Sequence, residues 1–255
     1  MKDGGFDVVI GNPPYVEYTK VRKEYSIRGY QTENCGNLYA FFFERNAKLV
    51  KKNGRSGMIV PHSSICTDRM SPIQDLFSEV GASAWIASYC IRPSKLFVGV
   101  DQRLAIYVVQ HDDRKFTLYS SRYHRWREEF RAHLFSTIQY IDISDISYSD
   151  SFPKMESQLE NILWRRIIEF PPLDKLLSQH HGHTVYYHNA PRYWIRAMTF
   201  VPYFWNERDG EHVSTHVKPL FLPTELDVSV VAPVLNSSLF YWWFLILSDC
   251  RHLNL

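Results

Sequence analysis

Apolar residues in the first hundred positions follow two different periods. Phe6 to Ile10 is a short apolar run that ends at Gly11, which is typical of a buried strand leading into a loop. From Asn37 the apolar residues recur at helical spacing, with Asn37 as the cap and basic Lys51 and Lys52 at the C-terminal end. The same patterns predict a strand at 56–60, a helix at about 72–80, and strands at about 84–91 and 104–110. This order favours one side of an α/β sheet over a closed fold.

The pattern changes at about Asp112. The remainder is rich in aromatic residues, histidine and proline. Helices are predicted at 155–169 and 173–179, and Thr224-Glu225 can open a further helix that ends in the apolar stretch Leu239 to Leu247. We therefore predict two domains, 1–111 and 112–255.

Composition adds modest limits. With 255 residues, 45% of them hydrophobic, and a formal net charge of +2, the chain can build a core, and its charge does not by itself indicate nucleic-acid binding. The four cysteines are far apart and form no C-x-x-C pair, which argues against a disulfide scaffold or a structural zinc site. The longest apolar run, Leu239 to Leu247, is too short to span a membrane. These features favour a cytoplasmic protein.

The segment Gly11-Asn12-Pro13-Pro14-Tyr15 directly follows the first predicted strand. Two prolines restrict the backbone, so the Asn12 side chain and the Pro13 carbonyl can face the same point. Two acceptors placed against the N–H bonds of an aromatic amine would localise its lone pair toward an electrophile, and Tyr15 offers a face for ring stacking. The alternative is a tight Pro-Pro turn without chemistry.

These residues resemble motif IV of the N6-adenine DNA methyltransferases, (D/N)PP(Y/F/W). Residues 37–61 are similar to the helix and strand that follow that motif in the methylases of type II and IIG restriction–modification enzymes. Residues 96–100 and the strand at 104–109 resemble motif VIII. The resemblance covers about residues 5–111. It implies that Phe97 stacks on the other face of the base; ordinary core packing is the alternative.

The resemblance implies a fold and a reaction. The fold would be α/β, the C-terminal half of a Rossmann-like class I methyltransferase sheet followed by an α+β target-recognition domain at 112–255. The cofactor would be S-adenosyl-L-methionine, and the partner double-stranded DNA with a flipped adenine. Residues 187–193 and 235–239 also resemble recurring features of such specificity domains. The catalytic residues would be Asn12, Pro13, Pro14 and Tyr15.

The family's motifs X and I to III, which supply most of the cofactor pocket, should precede motif IV, and the sequence does not contain them. The cofactor-binding residues are therefore unknown. We expect a truncated chain that lacks an N-terminal methyltransferase half, or a nuclease, and that does not methylate DNA alone; whether Met1 is a genuine start stays open.

Basic residues suggest where DNA could be held. Lys20, Arg22 and Lys23, with Arg28, lie in the loop after the motif, where phosphate contact and simple solvation are both open. Arg192 and Arg196 sit among aromatic residues and could contact bases or phosphates. A third group, Arg122, Arg125, Arg127 and Arg131, is diluted by Glu128 and Glu129.

Two other functions and one other site remain open. The motif is shared with enzymes that methylate protein glutamine or ribosomal guanine, and the chain could also be a DNA-recognition module without catalysis. The cluster His180-His181-Gly182-His183 could suggest a metal site, but no nearby cysteine or carboxylate completes one. We predict no metal.

Overall fold

The computed structural model describes residues 4–146, 151–177, 182–223 and 226–254. The chain forms two compact units, Met1–Asn161 (unit 1) and Ile162–Leu255 (unit 2). Unit 1 contains β1 (Phe6–Gly11), α1 (Leu38–Leu49), β2 (Val50–Pro61), α2 (Ser71–Val80), β3 (Ser83–Tyr89), β4 (Leu104–Gln110), β5 (Thr117–His124) and β6 (Ile141–Asp142). The helix α3 (Gln158–Ile168) crosses the division between the units.

The strands of unit 1 form one six-stranded sheet in the order β1-β2-β4-β3-β5-β6. β1 is parallel to β2 and β3 is parallel to β5, while β4 lies antiparallel between β2 and β3. The predicted α/β class is therefore confirmed, with a mixed sheet. Because β1, β2, β3 and β5 all run the same way, their carboxyl ends meet at one edge, where ligands of open α/β sheets bind.

The sheet continues past the boundary predicted between 111 and 112. β5 pairs with β3 from Ser83↔Thr117 to Tyr89↔His124, so the chain after 111 still builds unit 1. The division between the compact units falls later, after Asn161.

Two details of the predicted helix at 37–52 are wrong. The helix α1 ends at Leu49, because Val50 adopts an extended backbone (φ −77°, ψ 136°) and pairs with Phe6. Lys51 and Lys52 therefore lie in β2 rather than at the end of the helix. Asn37 precedes the helix but forms no side-chain cap; its Nδ2 donates to Glu17 Oε1 at 2.8 Å instead.

The core of unit 1 lies between the sheet and its two helices. Phe43 of α1 and Phe77 of α2 pack with their ring centroids 4.8 Å apart. Both rings also contact Tyr107 of β4, at 5.0 and 5.1 Å. Burial of these aromatic surfaces fixes the helices against the middle of the sheet, which in turn holds the loops at its carboxyl edge.

β1 lies at one end of the sheet order, with β2 as its partner. Three of its apolar side chains are exposed to solvent: Phe6 by 54%, Val8 by 59% and Ile10 by 78%. The prediction of a buried strand is therefore wrong for this unit as described, although the strand itself is present.

Unit 2 has its own small sheet and helices. A three-stranded antiparallel sheet, β11-β7-β8, is formed by β7 (His183–His188), β8 (Ala197–Met198) and β11 (Val217–Leu222). A separate hairpin joins β9 (Trp205–Asn206) to β10 (Gly210–Glu211). The helices are α4 (Val228–Leu235) and α5 (Ser238–Leu247).

The single helix predicted to end at 239–247 is wrong, because the structure has two helices there, α4 and α5. Thr224-Glu225, predicted to open it, lie outside the described residues, and Asp227 caps α4 by accepting from the Ser229 amide at 2.7 Å. The chain then bends by 54° between α4 and α5. At the bend, Asn236 pairs with the backbone of Ala197 through two hydrogen bonds of 2.8 Å, so the side chain extends the small sheet.

Of the helix predicted at 173–179, residues 178 and 179 lie outside the described residues, and the described part contains a single 3₁₀ turn, Leu173–Leu176. Among the described residues no single helix is long and apolar enough to cross a membrane; α4 and α5 meet that length and composition only when they are counted together across their bend.

Candidate functional site

The segment 12–15 follows β1 at the carboxyl edge of the sheet. Gly11, the last residue of β1, is in register with Met58 of β2, so the segment begins beside the end of β2. Pro13 is buried, while Asn12 and Pro14 are exposed. The buried proline anchors the turn, and the amide of Asn12 is left at the surface where a ligand could reach it.

The hydroxyl of Tyr15 is hydrogen-bonded to the side-chain amide of Asn12. It donates to Asn12 Oδ1 at 2.7 Å and lies 3.0 Å from the carbonyl oxygen of Ile59 in β2. The Tyr15 ring meets the edge of Tyr39 at a centroid distance of 6.5 Å. Burial raises the pKa of Tyr15 to about 12, so the hydroxyl stays a donor at neutral pH.

This geometry has a chemical consequence for Asn12. A carbonyl oxygen has two lone pairs, so Asn12 Oδ1 can accept from Tyr15 and still accept from a second donor. Because the Tyr15 hydroxyl has one proton and two acceptors within reach, it can also shift toward Ile59. The site can therefore present an oriented hydrogen-bond acceptor to an N–H group arriving from solvent.

Phe97 lies in a turn of the long connection between β3 and β4. The Val100 amide donates to the Phe97 carbonyl at 3.3 Å, and Gly99 has a φ of 82°, the conformation that favours glycine at the third position of such a turn. Phe97 is 37% exposed and Val98 is 100% exposed. Phe97 is therefore not a core residue in unit 1, which weighs against the packing alternative.

The two loops meet the same hydrophobic cluster. Leu96, directly before Phe97, is buried with Tyr89, Trp126 and other side chains, and Tyr15 packs against this cluster. The structure thus brings the connection that carries Phe97 and the segment that carries Tyr15 to one part of the sheet edge.

Basic side chains surround the first loop. Lys20 ends a 3₁₀ turn, Tyr18–Lys20, and Arg22 and Lys23 follow it on the surface. None of the three forms a salt bridge with a carboxylate in the described part of the chain, whereas Glu17 is paired with Arg69 at 2.8 Å. These three cations remain available to an anionic ligand.

Unit 2 holds the second pair of basic residues, Arg192 and Arg196, both exposed. The pKa of His188 is lowered by burial first, and then by the positive charges of Arg196, His216 and Arg192. His188 and His216 stack with their rings 5.4 Å apart. Both arginines therefore lie close enough to His188 to disfavour its protonated form.

The third arginine group does not form one exposed patch. Arg122 pairs with Glu156 at 3.2 Å and Arg127 with Glu129 at 3.9 Å. Arg131 donates to backbone carbonyls of the connection that carries Phe97. Arg122, Arg127 and Arg131 thus each contact other groups of unit 1.

Sequence reasoning missed two buried histidines at the same sheet edge. His62 directly follows β2, is 1% exposed, and lies 3.7 Å from the thiol of Cys66 through Nδ1. His124 ends β5, stacks on Tyr89 at 5.3 Å and lies 3.0 Å from Ser121 Oγ. Burial, and then the charge of Arg122, lowers the pKa of His124 to about 4. The signal that could have found His62 is its place after the proline that stops a predicted strand.

Metal binding finds no further support in the described residues. His180 and His181 of the histidine cluster lie outside them. In the ranges that are described, no three side chains of histidine, cysteine, aspartate or glutamate come together as a metal site. The four cysteines are all buried and form no disulfide.

Comparison with known proteins gives one family match. Residues 1–84, about a third of the chain, match the model of the Eco57I restriction-modification methylase. No curated protein sequence matches the chain.

Solved structures resemble the fold more loosely. The type ISP restriction-modification enzyme LlaGI, solved as a nuclease-deletion mutant with a DNA substrate mimic, matches 72% of this chain and 20% of its own (14% identity, TM-score 0.45). The DrdV–DNA complex matches 53% and 17% (15% identity, TM-score 0.41). The type I restriction-modification methyltransferase subunit of Streptococcus thermophilus matches 47% and 26% (17% identity, TM-score 0.34).

The chain therefore spans about a quarter or less of each of these structures. All three TM-scores lie below 0.5. The family match is independent of them and includes the whole segment from β1 to the start of β3. Residues 1–84, with Asn12 to Tyr15 among them, are similar to the Eco57I restriction-modification methylases.

Proposed function

We propose that this chain is part of a site-specific DNA methyltransferase of a restriction–modification system, which transfers a methyl group from S-adenosyl-L-methionine to the N6 amine of adenine. The observation that carries the proposal is the exposed Asn12 amide, held by the Tyr15 hydroxyl at the carboxyl end of β1. That amide lies in the part of the chain that matches a restriction–modification methylase family.

The proposed chemistry follows from the acceptor. The lone pair of an exocyclic aromatic amine is delocalised into the ring, so the amine is a weak nucleophile. Asn12 Oδ1 and the Pro13 carbonyl would each accept a hydrogen bond from one N–H group of the amine. These two bonds would concentrate the nitrogen lone pair on the side facing the methyl donor. Buried Pro13 and exposed Pro14 would fix the turn that places these acceptors. No proton needs to leave before the amine attacks.

Tyr15 and Phe97 would hold the ring of the flipped base. Tyr15 is half-buried against the cluster in which Leu96 is buried. Phe97 is the residue after Leu96, and its side chain is partly exposed. Stacking of a base on an aromatic side chain contributes about 1–3 kcal/mol. Flipping a base from the duplex costs a few kcal/mol, so stacking of this size offsets part of that cost.

S-adenosyl-L-methionine supplies the methyl group when it is bound. Among the described residues, no glycine-rich turn of the G-x-G type follows a strand, the feature that holds such cofactors in open α/β sheets. The described residues thus do not by themselves provide that feature of a cofactor site.

Unit 2 would contribute the recognition of the target sequence. Arg192 and Arg196 are exposed and lie near the His188–His216 pair, which makes this surface suited to phosphates or to guanine edges. Lys20, Arg22 and Lys23 would contact phosphates beside the catalytic loop. The DNA partner is thus proposed to meet both units.

The test is a methyl-transfer assay on the chain, purified from its native host with any polypeptide that accompanies it. Tritiated S-adenosyl-L-methionine is offered with duplex DNA, structured RNA or a glutamine peptide, and the DNA products are digested to nucleosides. N6-methyladenine in DNA alone is the expected result. Label in the RNA or the peptide would assign the other methyltransferase function, and duplex binding without transfer to any acceptor would indicate a recognition module.

A further inference from the structure

Residues 95–101 form a closed loop with Phe97 near its tip. Lys95 and Asp101 form an ion pair at the base of the loop. Leu96 is 7% exposed and points into the hydrophobic cluster, whereas Phe97 and Val98 project into solvent. The orientation of Phe97 therefore depends on what fixes the backbone immediately before it.

Arg131 provides that support from a distant part of the sequence. Its guanidinium donates to the Leu96 carbonyl at 2.7 Å and to the Lys95 carbonyl at 3.3 Å. The same group lies over the Trp126 ring, 5.3 Å from its centroid, and pairs with Glu128 at 3.3 Å. Trp126 belongs to the cluster that buries Leu96, so the loop is held through both its side chain and its carbonyls.

Only an arginine can make this set of contacts at once. A guanidinium is planar and presents several N–H donors in one plane, so it can reach two successive carbonyls while its face rests on an indole. A lysine ammonium is a point charge without a planar fork or a flat face, so it cannot direct two coplanar donors at successive carbonyls while its face rests on the indole.

We propose that Arg131 is the positioning residue for Phe97: it locks the carbonyls of Lys95 and Leu96 and so sets the direction in which the Phe97 ring meets a flipped base. The part of this proposal that concerns the base rests on the proposed methyltransferase function. The clamp itself concerns only unit 1 and can be measured without DNA.

The first experiment measures the clamp alone. Hydrogen exchange of the Val100 amide, which closes the turn on Phe97, is compared in the unaltered chain and in Arg131→Ala, Arg131→Lys and Arg127→Ala. Arg127 is the matched control, since it lies in the same stretch and pairs only with Glu129 among the ion pairs of the described residues. We expect exchange to rise about ten-fold in Arg131→Ala, to rise less in Arg131→Lys, and to stay unchanged in the control.

The second experiment measures the consequence for the base. Duplex DNA with 2-aminopurine at the target adenine reports flipping, and methyl transfer is followed on the same preparations. In Arg131→Ala and Arg131→Lys we expect kcat to fall by roughly 10–100-fold, as for misplacement by about 1 Å, with KM for DNA within two-fold of the original value. The lysine variant keeps the positive charge, so a fall of kcat in that variant would be due to the lost geometry and not to the lost charge.

Several results would overturn the proposal. Unchanged hydrogen exchange of the Val100 amide in both Arg131 variants would show that Arg131 does not fix the loop. A large rise in KM for DNA with unchanged exchange would indicate that Arg131 contacts a phosphate instead. Raised exchange with normal kcat would show that the loop needs no support. If the original chain and its native partners transfer no methyl group while exchange responds as expected, the proposed function fails and the role toward the base falls with it, but the clamp stands.

Discussion

The two loops at the carboxyl edge of the sheet are held in opposite ways. The segment Asn12 to Tyr15 owes much of its geometry to its own residues, namely a buried Pro13 and a hydrogen bond from Tyr15 to Asn12, three residues away. The turn at Phe97 is stabilised from outside, by an arginine 35 positions from Leu96. A self-contained loop can be recognised from a short motif, while the second loop depends on contacts that only the folded chain supplies.

This difference separates the expected effects of mutation. In the first loop a substitution of exposed Asn12 should remove chemistry and leave the fold intact, because its side chain lies at the surface and bonds to Tyr15 in the same loop. In the second loop the effects should be spread over Phe97 and the residues that support it.

The largest effect is expected for Asn12→Ala. Loss of a preorganised polar partner of the reacting group typically lowers the rate about 10²–10³-fold. DNA affinity should change by no more than a few-fold, because Asn12 acts on the amine rather than on the duplex. Asn34→Ala, another exposed asparagine of unit 1, is the control. Methylation by Asn12→Ala at a near-original rate would rule out the proposed mechanism.

A smaller effect is expected for Phe97→Ala. Removal of the ring should weaken binding of the flipped base by about 1–3 kcal/mol, the usual scale of base–aromatic stacking. Phe97→Trp should be tolerated better because it keeps a flat face. The measurement is 2-aminopurine fluorescence at the target position, with Phe42→Ala, another half-exposed phenylalanine, as the control. Unchanged fluorescence together with a large loss of thermal stability would instead indicate core packing.

Acid should loosen the support of the second loop. The carbonyl of His124 accepts from the Cys90 amide at 2.9 Å, which ties the end of β5 to the start of the connection that carries Phe97. The pKa of His124 is lowered to about 4 from an ordinary value of 6.5. The unfolded chain therefore takes up a proton near pH 6.5 while the folded chain does not, so this contribution is complete above about pH 6.5 and is lost as the pH falls toward 4.

At pH 5 this linkage amounts to about 2 kcal/mol of unfolding free energy. Urea titrations at pH 7 and pH 5 measure the difference, and His124→Gln, which stays neutral, should reduce the pH dependence by that amount. His183→Gln, an exposed histidine of unit 2, should leave it unchanged. An identical pH dependence in His124→Gln would show that the burial of His124 does not govern it.

The smallest effect is expected for Tyr15→Phe, which keeps the ring and removes only the hydroxyl. One hydrogen bond contributes about 0.5–1.5 kcal/mol, so kcat should fall roughly 2–13-fold with little change in base stacking. Tyr39→Phe is the matched control, because its hydroxyl contacts Met70 Sδ and not Asn12. Equal losses of kcat in both variants would point to a general packing defect and not to the orientation of Asn12.

Much of unit 1 could be predicted from its sequence, because apolar runs and helical spacing mark β1, α1, α2, β3 and β4. β5 could not: Ser120 and Ser121 are 2% and 0% exposed, and small polar residues at buried positions hide a strand from any apolar pattern. For the same reason the pattern does not show that the sheet continues through β5, past the predicted boundary at 111.

The candidate site divides in the same way. Asn12 to Tyr15 can be predicted as a site from four consecutive residue types. The Tyr15–Ile59 contact joins positions 44 apart, so no local sequence pattern predicts it. The sequence places Arg131 in a group of four arginines, but charge along the sequence does not show whether a side chain faces solvent or a backbone carbonyl.

The exposed edge of β1 bears on how the chain behaves in concentrated solution. Its one charged side chain, Asp7, is neutralised by Lys51 of β2, with the two charged atoms 2.5 Å apart. The edge therefore combines unpaired backbone groups, apolar side chains and no net charge, which are the conditions under which strands of different molecules join. We expect self-association that grows with concentration and is suppressed by Val8→Lys, a change that would place a repelling charge on the strand without touching the catalytic loop.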